Sequence, residues 1–158
     1  MTADDQLKVR RYTADDQPAV LALAPRLAVG VAPWRDPEAV VAAVSGWING
    51  YPDAEPSAAA AVFVAERSGR ILGFAGVAER THFSGELDGY LGELVVAPDA
   101  ERQGVGRALV TAAEGWAGAR GLRRLTLDTG AANQGARAFY RSLGYLEEDV
   151  RLSKEVLP

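Results

Sequence analysis

The stretch from Tyr90 to Trp116 constrains this chain more than any other. Tyr90-Leu91-Gly92-Glu93-Leu94-Val95-Val96 reads as a strand, and Pro98, which cannot donate to a sheet ladder, stops it. Gly104-Val105-Gly106 then stands at the start of a helix beginning near Gln103, whose Val105, Leu109, Ala112 and Trp116 fall on one side before Gly118 and Gly121 close it. A helix that starts straight after a strand leaves backbone N–H groups unpaired at the positive end of its dipole, which makes the junction an anion site. Two other glycine patterns fail here. Leu109 stands where a dinucleotide fingerprint needs its third glycine, and nothing resembles the Gly-Lys-Ser/Thr of a P-loop. A Gly-x-Gly pair alone is equally explained by a tight turn with close helix-to-sheet packing, so its surroundings must decide.

Elsewhere, residues 7–12 read as a strand, and Thr13-Ala14-Asp15-Asp16 as a cap ahead of a helix over 17–28. Pro37 after Asp36 opens a second helix, with Val40, Val41, Val44, Trp47 and Ile48 as its apolar face up to Asn49-Gly50; Pro52 and Pro56 mark a loop. Residues 60–66 and 71–78 form a hairpin around Ser68-Gly69. Residues 123–129 alternate as a strand, 133–142 read as a short helix, and 144–154 as a last strand. This order of elements argues for a mixed sheet with helices on its faces.

Composition removes several classes of function. With 158 residues and 48% apolar content, residues 1–158 are expected to form a single domain, with 1–6 flexible. The net charge of −4 and the lack of any Lys/Arg run argue against nucleic acid as a partner. The longest apolar stretch, residues 58–65, is far shorter than the roughly 20 residues a membrane-spanning helix needs, so no membrane association is expected. The acidic opening Met1-Thr2-Ala3-Asp4-Asp5-Gln6 reads as neither signal nor transit peptide, and the expected location is cytoplasmic. With no cysteine and one histidine, disulfides, an acyl-cysteine intermediate and a Cys/His metal cluster are excluded, and no metal is expected. A Ser-His-Asp triad would have to use His82, beside Ser84, without a Gly-x-Ser-x-Gly elbow.

Two motifs together carry a family resemblance. Leu94-Val95-Val96-Ala97-Pro98 followed by Glu101-Arg102-Gln103-Gly104-Val105-Gly106-Arg107-Ala108-Leu109 resembles the first signature of the GNAT superfamily of acetyltransferases, a strand ending in Val-x-Pro before Arg/Gln-x-x-Gly-x-Gly/Ala. Asn133 followed by Arg137-Ala138-Phe139-Tyr140-Arg141-Ser142-Leu143-Gly144-Tyr145 resembles the second. Glu101 departs from the pattern, since Arg or Gln is usual at its position. The resemblance implies an α/β (α+β) fold with a mixed, mostly antiparallel sheet of six to seven strands flanked by about four helices. It also implies acetyl-CoA as acyl-donor cosubstrate and transfer of an acetyl group to a primary amine by direct attack in a ternary complex.

Site residues follow from the same resemblance. Main-chain groups of Leu94, Val95 and Val96 would bind the pantetheine arm, with an N–H near Val96 or Val95 polarising the thioester carbonyl. The loop amides around Gln103, Gly104, Val105 and Gly106, with Arg102 and Arg107, would hold the pyrophosphate. Asn133 would contact the pantetheine arm, or act only as a helix N-cap. Tyr140 would protonate the departing thiolate, or be a core aromatic with a wet tip. Glu93 is the chosen base, with Glu86, Asp88 and His82 in reserve; strand alternation puts Glu93 and Val95 on one face and Leu94 and Val96 on the other, and leaves open which face meets the acceptor.

The acceptor region implied is residues 26–51 with 79–89, where Trp34, Trp47, Tyr51, Glu86 and Asp88 could frame a cationic small-molecule or protein amine. The rival function is an acyl-CoA sensor without turnover. By analogy, a homodimer could use a terminal strand near residues 150–156 as its edge.

Overall fold

The computed structural model describes residues 5–51 and 59–157. The flexibility expected for residues 1–4 and the loop marked by Pro52 and Pro56 lie outside the described residues. The hairpin signal at Ser68-Gly69 is met: both residues take positive φ, 51° and 74°, which matches the twist of the strands they join. Those strands are β2 (Ala60–Arg67) and β3 (Arg70–Thr81). With β1 (Lys8–Arg11), β4 (Leu87–Val96) and β5 (Leu125–Thr126) they form one sheet in the order β1-β2-β3-β4-β5. Three pairings are antiparallel and the last, β4 with β5, is parallel.

Four α-helices flank the sheet: α1 (Gln17–Leu23), α2 (Pro37–Asn49), α3 (Val105–Ala119) and α4 (Gln134–Ser142). One face buries Val20 of α1, Ala24 of the 3-10 turn that extends it over Ala24–Ala28, and Val44 and Ile48 of α2 against Val62, Val64, Phe74 and Val95. The other buries Val105, Leu109, Ala113 and Trp116 of α3 against Ala75, Val77 and Leu91. The mixed, mostly antiparallel architecture with four helices matches expectation, and the strand count among the described residues is five instead of six to seven.

The missing strands are at the C-terminal end. Residues 144–157 run without a strand, and Leu146, Val150, Leu152 and Val156 are exposed. Of the strand read over 123–129 only Leu125–Thr126 pairs. Alternation shows that a segment suits a pleated ladder, but a ladder also needs a neighbour, and a two-residue β5 offers almost no edge to pair with. Residues 150–156, the stretch expected to offer a homodimer edge, form no strand. Two helical assignments also shift: Trp47 is 56% exposed and so lies off the apolar face of α2, and Ala113, not Ala112, completes the buried stripe of α3.

Local chemistry fixes the first layer. Asp36 caps α2 by accepting from the Glu38 N–H at 3.0 Å. Asp16, buried ahead of α1, accepts from both terminal nitrogens of Arg10 at 2.7 and 2.9 Å and from the Thr13 N–H at 2.9 Å, which ties the helix to β1. The Arg10 guanidinium holds the Asp16 carboxyl below its ordinary pKa. Phe74 is the largest fully buried side chain of the α1/α2 face. Phe74→Ala is expected to cost about 3–5 kcal/mol, seen as a lower urea midpoint with an unchanged m value.

Candidate active site

The parallel ladder between β4 and β5 has only two pairs, Gly89↔Leu125 and Tyr90↔Thr126. Immediately beyond, the register of β3 against β4 shifts: Val77 pairs with Leu91 but Gly76 pairs with Glu93, which leaves Gly92 as an extra, bulged residue. A bulge bends its strand and increases the twist. From Leu91 to Val96 the outer edge of β4 has no strand partner among the described residues. The Ala97 N–H donates to the Leu72 carbonyl on the β3 side at 2.7 Å. Alternation along the strand then turns the Val95 N–H to β3 as well and sends the main-chain groups of Leu94 and Val96 to the free edge. Of the two sequence candidates for an outward N–H, geometry selects Val96.

At the end of this edge the chain enters the glycine loop. Arg102 takes φ of 59° and Gly104, the N-cap of α3, takes φ of 82°. A left-handed non-glycine residue is uncommon and marks a backbone held by its surroundings. The Gln103 side chain is spent inside the loop: its amide donates to the Asp99 carbonyl at 2.8 Å and its oxygen accepts from Arg67 at 2.8 Å. Gly104 provides no side-chain cap, and the first main-chain acceptance within α3 runs from Ala108 to Gly104 at 3.0 Å. The N–H groups of Val105, Gly106 and Arg107 thus remain at the helix start. Arg102 and Arg107 are exposed and have no ion-pair partner among the described residues.

Gly106 joins the two motifs. A Cβ there would lie 3.2 Å from the Phe139 ring and 3.6 Å from Val96 Cγ2, so a larger residue would require the Phe139 ring to shift by a few tenths of an ångström. The next residue on α4, Tyr140, packs against the α3 side of the sheet and meets the rings of Phe139 and Tyr145 edge-on at 5.1 and 5.6 Å. Burial pushes its hydroxyl up to about 12. Asn133 is the N-cap of α4, accepting from the Ala136 N–H at 3.1 Å, while its amide nitrogen reaches the Val29 carbonyl at 3.4 Å. Its side chain thus fastens α4 to the connection between α1 and α2.

Glu93 lies on the other face. Its carboxylate sits over Gly76, where a Cβ would collide with it, and the Tyr51 hydroxyl approaches the same spot. That hydroxyl is buried without a partner of hydrogen-bond geometry among the described residues. Burial is the largest influence on Glu93 and raises its pKa, while the nearby Tyr51 opposes the rise. Burial and the Glu93 charge together raise Tyr51. Glu93 and Tyr140 therefore lie on opposite faces of the sheet.

The other acceptor-side candidates scatter. Trp34 and Trp47 are exposed, Asp88 is buried, and the His82 ring and Glu86 both engage Ser84 Oγ at 2.7 and 3.1 Å in the tip between β3 and β4. A cluster with no signal in the sequence lies on β4: Tyr90 donates to Asp128 at 3.0 Å, and Arg80 stacks over the Tyr90 ring at 4.3 Å while reaching Asp128 at 3.2 Å. Open cavities of about 360 and 530 Å³ flank the loop near Gln103 and near Ala97. Neither is lined by Glu93 or Tyr140. Among the described residues no group of His, Cys, Asp and Glu could hold a metal ion, and no helix is long and apolar enough to cross a membrane.

Because folding raises the Glu93 pKa, its contribution to stability is present in the protonated form and is lost as pH rises through the folded-state value. Glu93→Gln is accordingly expected to melt above the parent at pH 7, with the two curves converging as the pH falls. A variant that melts lower at pH 7 would contradict the burial argument.

Comparison with known proteins agrees with this geometry. The family model described as acetyltransferase (GNAT) matches residues 31–145. Among curated relatives, aminoglycoside N(6')-acetyltransferase type 1 of Klebsiella aerogenes is 37% identical over 93 residues, 56% of this chain and 60% of that protein. Mycothiol acetyltransferase of Amycolatopsis mediterranei is 37% identical over 98 residues, 58% of this chain and 33% of that protein. The matched region thus spans well under two thirds of these relatives. Among solved structures, aminoglycoside N-acetyltransferase AAC(6')-Iy in complex with CoA superposes with a TM-score of 0.70 at 20% identity, covering 96% of each chain. Glucosamine-6-phosphate N-acetyltransferase from Arabidopsis thaliana gives a TM-score of 0.66 at 19% identity over 96% of this chain and 99% of that one. These likenesses show a shared fold. With the family model covering both the loop at Gly104–Gly106 and the helix carrying Asn133 and Tyr140, the chain belongs to the acetyltransferase (GNAT) family.

Proposed function

We propose that the chain transfers an acetyl group from acetyl-CoA to the primary amine of a small molecule. The observation that carries this reading is the free edge of β4, which ends at the amides of α3. Exposed main-chain donors and acceptors on a strand edge invite pairing by another extended chain, and the two amides of a pantetheine arm can pair with Leu94 and Val96 as a short added strand. An arm in that position leads toward the N–H groups of Val105, Gly106 and Arg107, where a diphosphate is favoured by orphan donors and the helix dipole, with Arg102 and Arg107 adding charge.

The chemistry then divides across the sheet. The amine nitrogen attacks the thioester carbonyl, whose developing negative charge accepts from an outward main-chain N–H of the β4 edge. A C–N bond forms and the C–S bond breaks. The surplus amine proton passes to Glu93, directly or through water, and the departing thiolate takes the Tyr140 proton. A tyrosine held up to about 12 stays protonated throughout the neutral range, as a general acid must. With no cysteine, no acyl-cysteine route exists, which leaves direct attack with both substrates bound together as the economical route. A small cationic amine as acceptor is supported by the aminoglycoside-modifying relative and by the Glu93 carboxyl beside the free edge of β4.

A thermal shift with millimolar acetyl-CoA is expected to stabilise the protein, and no shift would remove this reading. In a thiol-release screen over amines, Tyr140→Phe should lower kcat about 100-fold with little change in acetyl-CoA affinity. Stabilisation with no thiol release from any amine would favour the sensor instead. Intersecting double-reciprocal lines are expected, and parallel lines would exclude a ternary complex. The activity should fall on the acid side as Glu93 is protonated, at a pH above that of an ordinary glutamate, and Tyr140 should add no alkaline loss below about pH 11.

A further inference from the structure

Arg26 lies in the 3-10 extension of α1, Ala24–Ala28, and its guanidinium is paired with the Glu101 carboxylate of the glycine loop, 75 positions away. The same connection is fastened a second time a few residues later. The Val29 carbonyl accepts from the Asn133 side-chain amide, a Cβ on Gly130 would collide with the Gly30 backbone, and one on Gly30 would collide with the Asn133 side chain. The wall between α1 and α2 thus touches both elements proposed to hold CoA, the loop through Arg26 and the start of α4 through Val29 and Gly30.

Glu101 creates an electrostatic problem on that loop. A carboxylate three residues before Gly104 lies close to where a diphosphate would sit, and like charges a few ångströms apart near a protein surface repel measurably. The pair with Arg26 cancels this charge, and Glu101 has no other ion-pair partner among the described residues. Glu101 and Arg26 are half-exposed, so the pair contributes little to stability by itself and its effect falls on whatever anion approaches.

We propose that Arg26 is a positioning residue for diphosphate binding: by neutralising Glu101 from the α1–α2 connection, it makes the loop acceptable to CoA and links donor binding to the acceptor wall. The proposal rests on the acetyl-CoA reading above, and it concerns a guanidinium that reaches the loop from outside both sequence motifs.

The test is a double-mutant cycle on CoA binding by calorimetry, with acetyl-pantetheine, which lacks the diphosphate, as the control ligand. Arg26→Ala should weaken CoA about tenfold because it leaves Glu101 unpaired beside the phosphates, while acetyl-pantetheine binding stays within about twofold. Glu101→Gln should bind CoA at least as tightly as the parent. The decisive variant is Arg26→Ala combined with Glu101→Gln, which should recover CoA affinity to within about twofold of the parent. The loss in Arg26→Ala should also shrink in high salt. Parent protein that binds CoA, with Arg26→Ala equal to it or with the double variant as weak as Arg26→Ala, would overturn the role of Arg26 and leave the acetyl-CoA reading intact. Parent protein that binds no CoA would overturn both. Melting curves of each variant without ligand separate a folding defect from a binding one.

Discussion

The structure of the site depends on one interruption: the parallel ladder between β4 and β5 stops after Tyr90↔Thr126. The bulge at Gly92 sits at that point and bends β4 where continued pairing would otherwise run. Buried backbone groups are nearly always satisfied, so a strand that keeps its inner partner, β3, and lacks an outer one is a place for something else to pair. The interruption also reduces β5 to two residues, which accounts for the unpaired residues 144–157 downstream.

The two faces of β4 then divide the labour. On one side Tyr51 packs with Val95, Phe74 and the α1/α2 layer close to Glu93, and burial there holds a proton on the carboxyl to higher pH. On the other, Val96, Gly106 and Phe139 bring α3 and α4 together and fix Tyr140 among aromatic rings. In the proposed reaction the base and the acid work from opposite faces on a bond lying along the edge between them. Gly106 leaves room for the Phe139 ring where α3, α4 and the end of β4 converge.

Much of this was legible in the sequence because it is encoded locally. Pro98 ended its strand, Ser68-Gly69 made its turn, and Asn133 and Asp36 capped their helices. Local signals failed where a partner decided the outcome. Residues 144–154 alternate as a strand should but have no edge to join, and Trp47, read as part of an apolar face, lies 56% exposed. The face on which Glu93 lies could not be read from alternation alone, because the bulge at Gly92 resets the parity partway along β4. Contacts between distant positions were invisible for the same reason: Arg26 with Glu101, Tyr51 with Glu93, and Tyr90 with Asp128 depend on the topology of the sheet, and no spacing in the chain announces them.

The central claim is that the free edge of β4 is a binding surface completed by acetyl-CoA. Amide hydrogen exchange at Leu94 and Val96 tests it most directly, with Val95 as an internal reference because its N–H already points to β3. The account predicts that saturating acetyl-CoA slows exchange at Leu94 and Val96, and at the first amides of α3, while Val95 changes little. Protection that appears elsewhere, with Leu94 and Val96 exchanging as fast as without ligand, would contradict it.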